Sequence, residues 1–185
     1  MKKELIHTRT ITVNCFEADD ERLIVEGSLT DERHYPYVLH ALNQQRDAGL
    51  MHQMTLTMEL TIPQLEIISL TAEMPVIPDQ GCGDVKAAVQ KLVGHRIQPG
   101  FTTQVRALFG KAAGCVHLTN LILTMASAAV QGLWSYFSRS REGGALSLPD
   151  MDGSMLLDSC YMWRKDGPFV RTVRRRAAAG KNRGR

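Results

Sequence analysis

Within the segment MHQMTLTMELTI (51–62), apolar and polar side chains alternate without a break from Met54 to Ile62. The apolar members are Met54, Leu56, Met58, Leu60 and Ile62, and the threonines and Glu59 fall between them. Successive side chains of an extended strand point to opposite faces of its sheet. This period of two therefore predicts a strand with one buried face and argues against a helix. The Pro-Gln turn and LEIISLTAEM that follow predict an antiparallel partner strand.

Two further strands are predicted upstream. HTRTITVNCFEA alternates and is rich in Thr and Val, and RLIVEGSLTDER follows after an ADDE turn, so the two segments predict a hairpin. Residues 34–50 are polar and contain Pro36 and Gly49, and are predicted to form a loop with at most one helical turn. The first half of the chain therefore predicts an antiparallel sheet of three to four strands.

The spacing of apolar residues changes to a helical period near residues 75–84. Asp84 can cap a short helix that ends at Gly94, and Pro99 and Gly110 bound a second helix. A third and longest helix is predicted from about Cys115 to about residue 141. Strands followed by helices indicate an α+β fold, with the C-terminal helices packed on one face of the sheet.

The 185 residues are predicted to form a single α+β domain over 1–172 and a disordered basic tail over 173–185. Residues 164–185 carry nine Lys and Arg against one acid, so this stretch has a charge of +8 and the rest of the chain −5. Before this stretch, EGGALSLPDMDGS is predicted to be a linker. The DG of WRKDGP is predicted to form a hairpin turn. Clustered arginines can contact nucleic acid. A solubilising end is the favoured interpretation, and any protein partner is unknown.

The expected location is the cytoplasm. The two N-terminal lysines are not followed by the apolar run of a secretory signal. The apolar stretch 118–134 is interrupted by five polar residues, which favours a buried amphipathic helix over a membrane span. Four cysteines are too few for a disulfide scaffold in a chain of this length, which favours free thiols or metal ligands.

Four residues at the ends of predicted elements form a candidate metal site. His52 begins a strand, Cys82 lies in the turn QGCGD, and Cys115 and His117 stand at the start of the longest helix. Two thiolates and two imidazoles suit a tetrahedral zinc or iron ion. The spacings between the clusters are long, and only Cys-x-His is local. Separately buried cysteines and a surface histidine explain the same residues without a metal.

A thiol nucleophile at Cys115 activated by His117 is the next alternative. On a helix, residues two apart point roughly 200° away from each other, which places this alternative below metal binding. The sequence contains no Walker loop, dinucleotide fingerprint, GxSxG or HExxH motif.

Two resemblances add to these patterns. Through RLIVEGSLTDER, MHQMTLTMEL, KLVGHRIQPGF, GCVHLTNLI and DSCYMWRKDGP, about residues 8–172 resemble a bacterial family catalogued only as a domain of unknown function. More distantly, residues 51–130 resemble the iron–sulfur cluster assembly scaffold fold (SufE/NifU-like, of the NifU/IscU type), with His52 where a Cys is usual, Cys82 as second ligand, and Cys115 and His117 as the helix pair.

These observations lead to three hypotheses about function. The first is a zinc- or iron-binding scaffold or accessory protein, related through the second resemblance to cluster assembly scaffolds. The second is a metal- or cysteine-dependent enzyme of unknown substrate. The third is a non-catalytic interaction protein whose basic tail contacts nucleic acid.

Overall fold

The structure is a computed structural model that describes residues 1–19, 21–139, 157–158 and 160–182. The chain divides into two compact units, Met1–Leu146 and Ser147–Arg185, where the sequence predicted one domain over 1–172. The first unit contains the sheet and two α-helices, and the second contains a third α-helix.

The first unit is built on a four-stranded antiparallel sheet. Its strands are β1 (His7–Ala18), β2 (Arg22–Arg33), β5 (Gly49–Thr61) and β6 (Ile67–Val76), hydrogen-bonded in the order β1-β2-β5-β6. The predicted loop between β2 and β5 contains a small hairpin, β3 (Tyr37–Leu39) and β4 (Gln44–Arg46), joined by a 3-10 turn at His40–Leu42. The predicted N-terminal antiparallel sheet is confirmed.

The helices follow the sheet, as an α+β fold requires. Gln80–Leu92 is a run of 3-10 helix, where the sequence predicted an α-helix from Asp84. It is followed by α1 (Phe101–Phe109), a short 3-10 turn (Lys111–Ala113) and α2 (Val116–Ser138). The α2 helix packs on β1 and β2, and the 3-10 run packs on β6.

The core lies between α2 and the apolar face of the sheet. The buried side chains of α2 include Leu118, Leu121, Ile122, Met125 and Leu133. The helix comes close to the sheet at Gly27 in the middle of β2. A Cβ atom at this position would lie 2.6 Å from Met125 Sδ, so the absence of a side chain lets the helix approach the strand.

By length and apolar composition alone, α2 is long enough to cross a membrane. A core helix passes the same test, and 44% of its most apolar window is buried inside the first unit. The described residues therefore contain no convincing membrane span.

The second unit contains α3 (Pro168–Asn182). The predicted DG hairpin turn is not present, because Gly167 leads directly into this helix. Helix also covers residues 173–182, where the sequence predicted a disordered tail; residues 183–185 lie outside the described residues. Arg and Ala have high helix propensity, which accounts for the helix in this segment.

Candidate metal centre

The candidate site is assembled around Asp31, an acidic residue on the buried face of β2. Along β2, every second residue from Leu23 to Leu29 belongs to this face, and Asp31 is the next in the series. Its side chain is only 4% exposed. A buried carboxylate is costly without partners, and the strands on both sides supply them.

Strand register aligns Arg9, Asp31 and His52 in one row across β1, β2 and β5. The Arg9 guanidinium donates two hydrogen bonds to the carboxylate, from Nε to Oδ1 and from Nη2 to Oδ2, each 2.7 Å long. His52 Nδ1 lies 3.0 Å from Oδ2. A β-bulge follows immediately, since Asp31 pairs with His52 whereas Glu32 pairs with Leu50. Bulges of this kind commonly re-aim side chains beside functional sites.

Two more histidines reach the same carboxylate. His7, two residues before Arg9 on β1, places Nε2 3.1 Å from Asp31 Oδ1. His117, in the first turn of α2, places Nε2 3.3 Å from Oδ2. The rings of His52 and His117 lie over each other, with centroids 4.0 Å apart and planes tilted by 35°. One carboxylate therefore contacts one guanidinium and three imidazoles.

The start of α2 determines where Cys115 lies. Cys115 is the N-cap residue and has extended backbone angles, φ −113° and ψ 132°, so it stands outside the helix. Its Sγ lies 3.6 Å from His117 Nδ1. Cys115 and His117 therefore do not point about 200° apart, as predicted from helical geometry at both residues, because Cys115 is extended.

The electrostatics of the site follow from burial and from these contacts. The hydrogen bond from Arg9 holds the pKa of Asp31 well below its usual range, against the opposing effect of burial. Burial lowers the pKa of His52, and the nearby charges of Arg9 and Arg33 lower it further, against the attraction of Asp31. His52 is therefore biased towards the neutral form.

The Cys115 thiol shows the opposite balance. Burial raises its pKa, but hydrogen bonds from His117 and from the backbone N–H groups of Leu118 and His117 outweigh burial. The pKa of Cys115 lies below its ordinary value as a result. Thiols at helix N-termini beside an imidazole commonly show this behaviour.

The structure brings together only part of the predicted ligand set. Among the described residues, Asp31, His52 and His117 form a group whose potential ligand atoms all lie within 4.8 Å of one another. Cys115 contacts this group through His117, and Cys82 lies in the 3-10 run and is not a member. The four predicted residues therefore do not form the tight ligand group, since Asp31 takes part and the two cysteines do not.

Sequence reasoning missed Asp31, Arg9 and His7. A signal for Asp31 was present in RLIVEGSLTDER, because the period of two places its carboxylate on the same face as Leu23, Val25 and Leu29. A charged residue on a buried face needs a partner. Register with β1 and β5, which depends on the turns and the bulge, then identifies Arg9 and His52 as its neighbours.

Comparison with known proteins gives a family but no function. No curated protein and no solved structure matches the chain. The resemblance to iron–sulfur cluster assembly scaffolds is therefore not supported. A family model described as "Protein of unknown function (DUF2889)" matches residues 7–131, which include His7, Arg9, Asp31, His52 and His117. This match covers more than half of the chain, and the protein belongs to the DUF2889 family.

Proposed function

We propose that this protein binds one zinc or iron ion through Asp31, His52 and His117. The observation that carries the proposal is the convergence of one carboxylate and two imidazoles from β2, β5 and α2 within 4.8 Å. Two histidines and one carboxylate are a common ligand set for catalytic zinc and for non-haem iron.

The distances from Asp31 Oδ2 to the two imidazole nitrogens suit a single ion. Asp31 Oδ2 lies 3.0 Å from His52 Nδ1 and 3.3 Å from His117 Nε2. Two ligands about 2.1 Å from one ion, at octahedral or tetrahedral angles, lie about 3.0–3.4 Å from each other. On metal binding, His52 Nδ1 and His117 Nε2 would bind the ion in place of their present contact with the carboxylate. Each nitrogen would first lose any proton that it carries.

Arg9 and His7 have a supporting role in this arrangement. Arg9 donates to both carboxylate oxygens and His7 contacts Oδ1, so the two residues hold the carboxylate in orientation. Oδ2 accepts one hydrogen bond from Arg9 and keeps a second lone pair for an ion. Hydrogen bonds to ligand side chains typically change metal affinity by about 10–100-fold. Arg9 also offsets the charge of the buried carboxylate in the metal-free protein.

Three protein ligands leave at least one coordination position for water or a substrate. Cys115 does not fill it, because its Sγ faces Nδ1 of His117 whereas Nε2 faces Asp31, on the other side of the ring. Open coordination is typical of catalytic sites, and four protein ligands are typical of structural ones. The geometry therefore favours a metal-dependent enzyme over a scaffold with a closed metal site. The low number of cysteines favours the cytoplasm as its location.

Elemental analysis tests the proposal. Protein prepared without a polyhistidine tag is expected to contain about one equivalent of zinc or iron, and His52→Ala or His117→Ala should remove it. His40→Ala is the matched control, since His40 is exposed on the 3-10 turn between β3 and β4. Wild-type protein that takes up neither metal during growth nor on reconstitution contradicts the proposal.

A second candidate function is thiol chemistry at Cys115. Cys115 Sγ, His117 and Asp31 form a chain in the order nucleophile, base and orienting acid, with contacts of 3.6 Å and 3.3 Å. The same order of roles occurs in nucleophilic catalytic triads. The start of α2 also supplies backbone N–H donors to the sulfur.

The two candidates differ in their need for His52. In metal-free protein, alkylation of Cys115 by iodoacetamide should slow on His117→Ala and remain near the wild-type rate on His52→Ala. Metal binding should fail in both variants. Equal alkylation rates in wild type and His117→Ala would exclude an activated thiol.

A further inference from the structure

Arg33 continues the same face of β2 beyond Asp31. It is the last residue of the strand and pairs with His7 on β1 and with Gly49 on β5. Its register partner His7 contacts the Asp31 carboxylate, so Arg33 stands in the strand row next to the candidate metal centre. The guanidinium carbon also lies 5.7 Å from the centre of the Tyr37 ring, a cation–π contact that helps hold it at the strand end.

Within the described part of the chain, Arg33 has no acidic partner. Its Nε is buried and makes no hydrogen bond there. Asp31 lies two residues away, but its carboxylate already accepts hydrogen bonds from Nε and Nη2 of Arg9. A buried donor on a charged group without an acceptor is costly, and native proteins rarely leave one unsatisfied.

There is open space beside Arg33 on β5. A Cβ atom added at Gly49, its register partner, would meet no atom within 4 Å. His7 lies opposite on β1, and His52 lies three residues further along β5. Among the described residues, Arg33 therefore stands as a charge without an acidic partner, with two imidazoles nearby and open space on its Gly49 side.

We propose that Arg33 binds the oxyanion of a small-molecule ligand, a carboxylate or a phosphate group. The guanidinium fork matches both groups with two parallel hydrogen bonds. The role of this ligand rests on the proposed metal function, because a molecule held by Arg33 would extend to the open coordination position of the ion. Anion binding by Arg33 itself needs no metal, so the two proposals can fail separately.

Titration calorimetry with inorganic phosphate and with succinate, on chelator-treated and zinc-loaded full-length protein, tests the proposal. Arg33→Gln should weaken binding of the preferred anion at least about tenfold, which corresponds to about 1.4 kcal/mol. Arg33→Lys keeps the positive charge but not the planar guanidinium, so its affinity for the anion should lie between those of wild type and Arg33→Gln. Arg96→Gln, which removes an exposed arginine paired with Glu66, should bind like wild type.

The two titrations distinguish the ligand classes: tighter binding of phosphate indicates a phosphate-bearing ligand, and tighter binding of succinate indicates a carboxylate-bearing ligand. Arg33-dependent binding in chelator-treated protein supports the anion site even if elemental analysis finds no metal. Equal affinity in wild type and Arg33→Gln overturns it. Failure of both anions to bind wild type at about 10 mM overturns it as well.

Discussion

Asp31 on β2 and His52 on β5 are register partners, and His52 Nδ1 lies 3.0 Å from the Asp31 carboxylate. The pair stands at a β-bulge and at the end of an otherwise apolar face, where α2 brings His117 to the same oxygen. Buried polar clusters of this kind are rarely neutral for stability, and their removal has measurable consequences.

Asp31→Asn should destabilise the metal-free protein by about 1.5–3 kcal/mol, the usual range for a hydrogen-bonded charged group. The substitution keeps the shape of the side chain but removes the charge that Arg9 pairs with. Urea unfolding of chelator-treated protein measures the difference. Asp84→Asn, at an exposed position in the 3-10 run, is the control and should change stability by less than about 0.5 kcal/mol. Equal losses in the two variants would show that the Arg9–Asp31 pair contributes nothing specific.

The stability of the metal-free protein should fall in acid in two stages. The pKa of His52 is lowered in the folded state, so stability declines as pH drops below about 6.5, where the unfolded histidine takes up a proton. The pKa of Asp31 is also lowered, so its contribution is present above about pH 4 and is lost as pH falls below that value. Urea midpoints of wild type and Asp31→Asn should converge between about pH 4 and pH 2. A gap that stays constant down to pH 2 contradicts the assignment.

Cys82→Ser should leave metal stoichiometry unchanged, because Cys82 is outside the ligand group. Cys115→Ser should also retain the metal but weaken its affinity by about 10–100-fold, because it alters a side chain that contacts the ligand His117. Competition with a chromogenic chelator measures both affinities. Complete loss of metal in Cys115→Ser would instead place the sulfur on the ion, as the sequence alone predicted.

Gly27→Val should destabilise the protein by about 1–3 kcal/mol through overpacking against α2. Even the first added atom would lie 2.6 Å from Met125 Sδ and 3.0 Å from Leu121 Cδ1. Ser28→Val changes the next residue of β2, on the face that α2 does not cover, and serves as the control. Thermal and urea unfolding should distinguish the two variants; similar stability in both would mean that the helix adjusts to the added side chain.

Deletion of residues 175–185 should leave the melting temperature unchanged. Val173 is 51% exposed, and Arg174 and Arg175 are also exposed, so the helix at this point buries little surface. Differential scanning calorimetry of the shortened chain makes the measurement. A loss of more than about 1 kcal/mol would show that the C-terminal part of α3 packs against other residues.

The sheet could be predicted from the sequence because its signal is local. The alternation of apolar and polar residues along 54–62 and along RLIVEGSLTDER indicates which side chains face the core. This pattern does not depend on the rest of the chain. The start of α2 was predicted within a residue for the same reason, since the helical period begins there. His117 lies in the first turn of α2, and His52 is the fourth residue of β5, close to the element starts where the sequence placed them.

Which side chains meet was decided only by tertiary structure. Asp31 lies opposite Arg9 and His52 because of strand register and a single bulge, and it meets His117 because α2 runs back across β2 over Gly27. Cys115 faces His117 because the N-cap residue is extended, a local angle that spacing does not reveal. The sequence by itself determined the four long strands, the long helix α2 and the residue types near their ends. The contacts of the site depend on interactions between residues far apart in the chain, which no local pattern encodes.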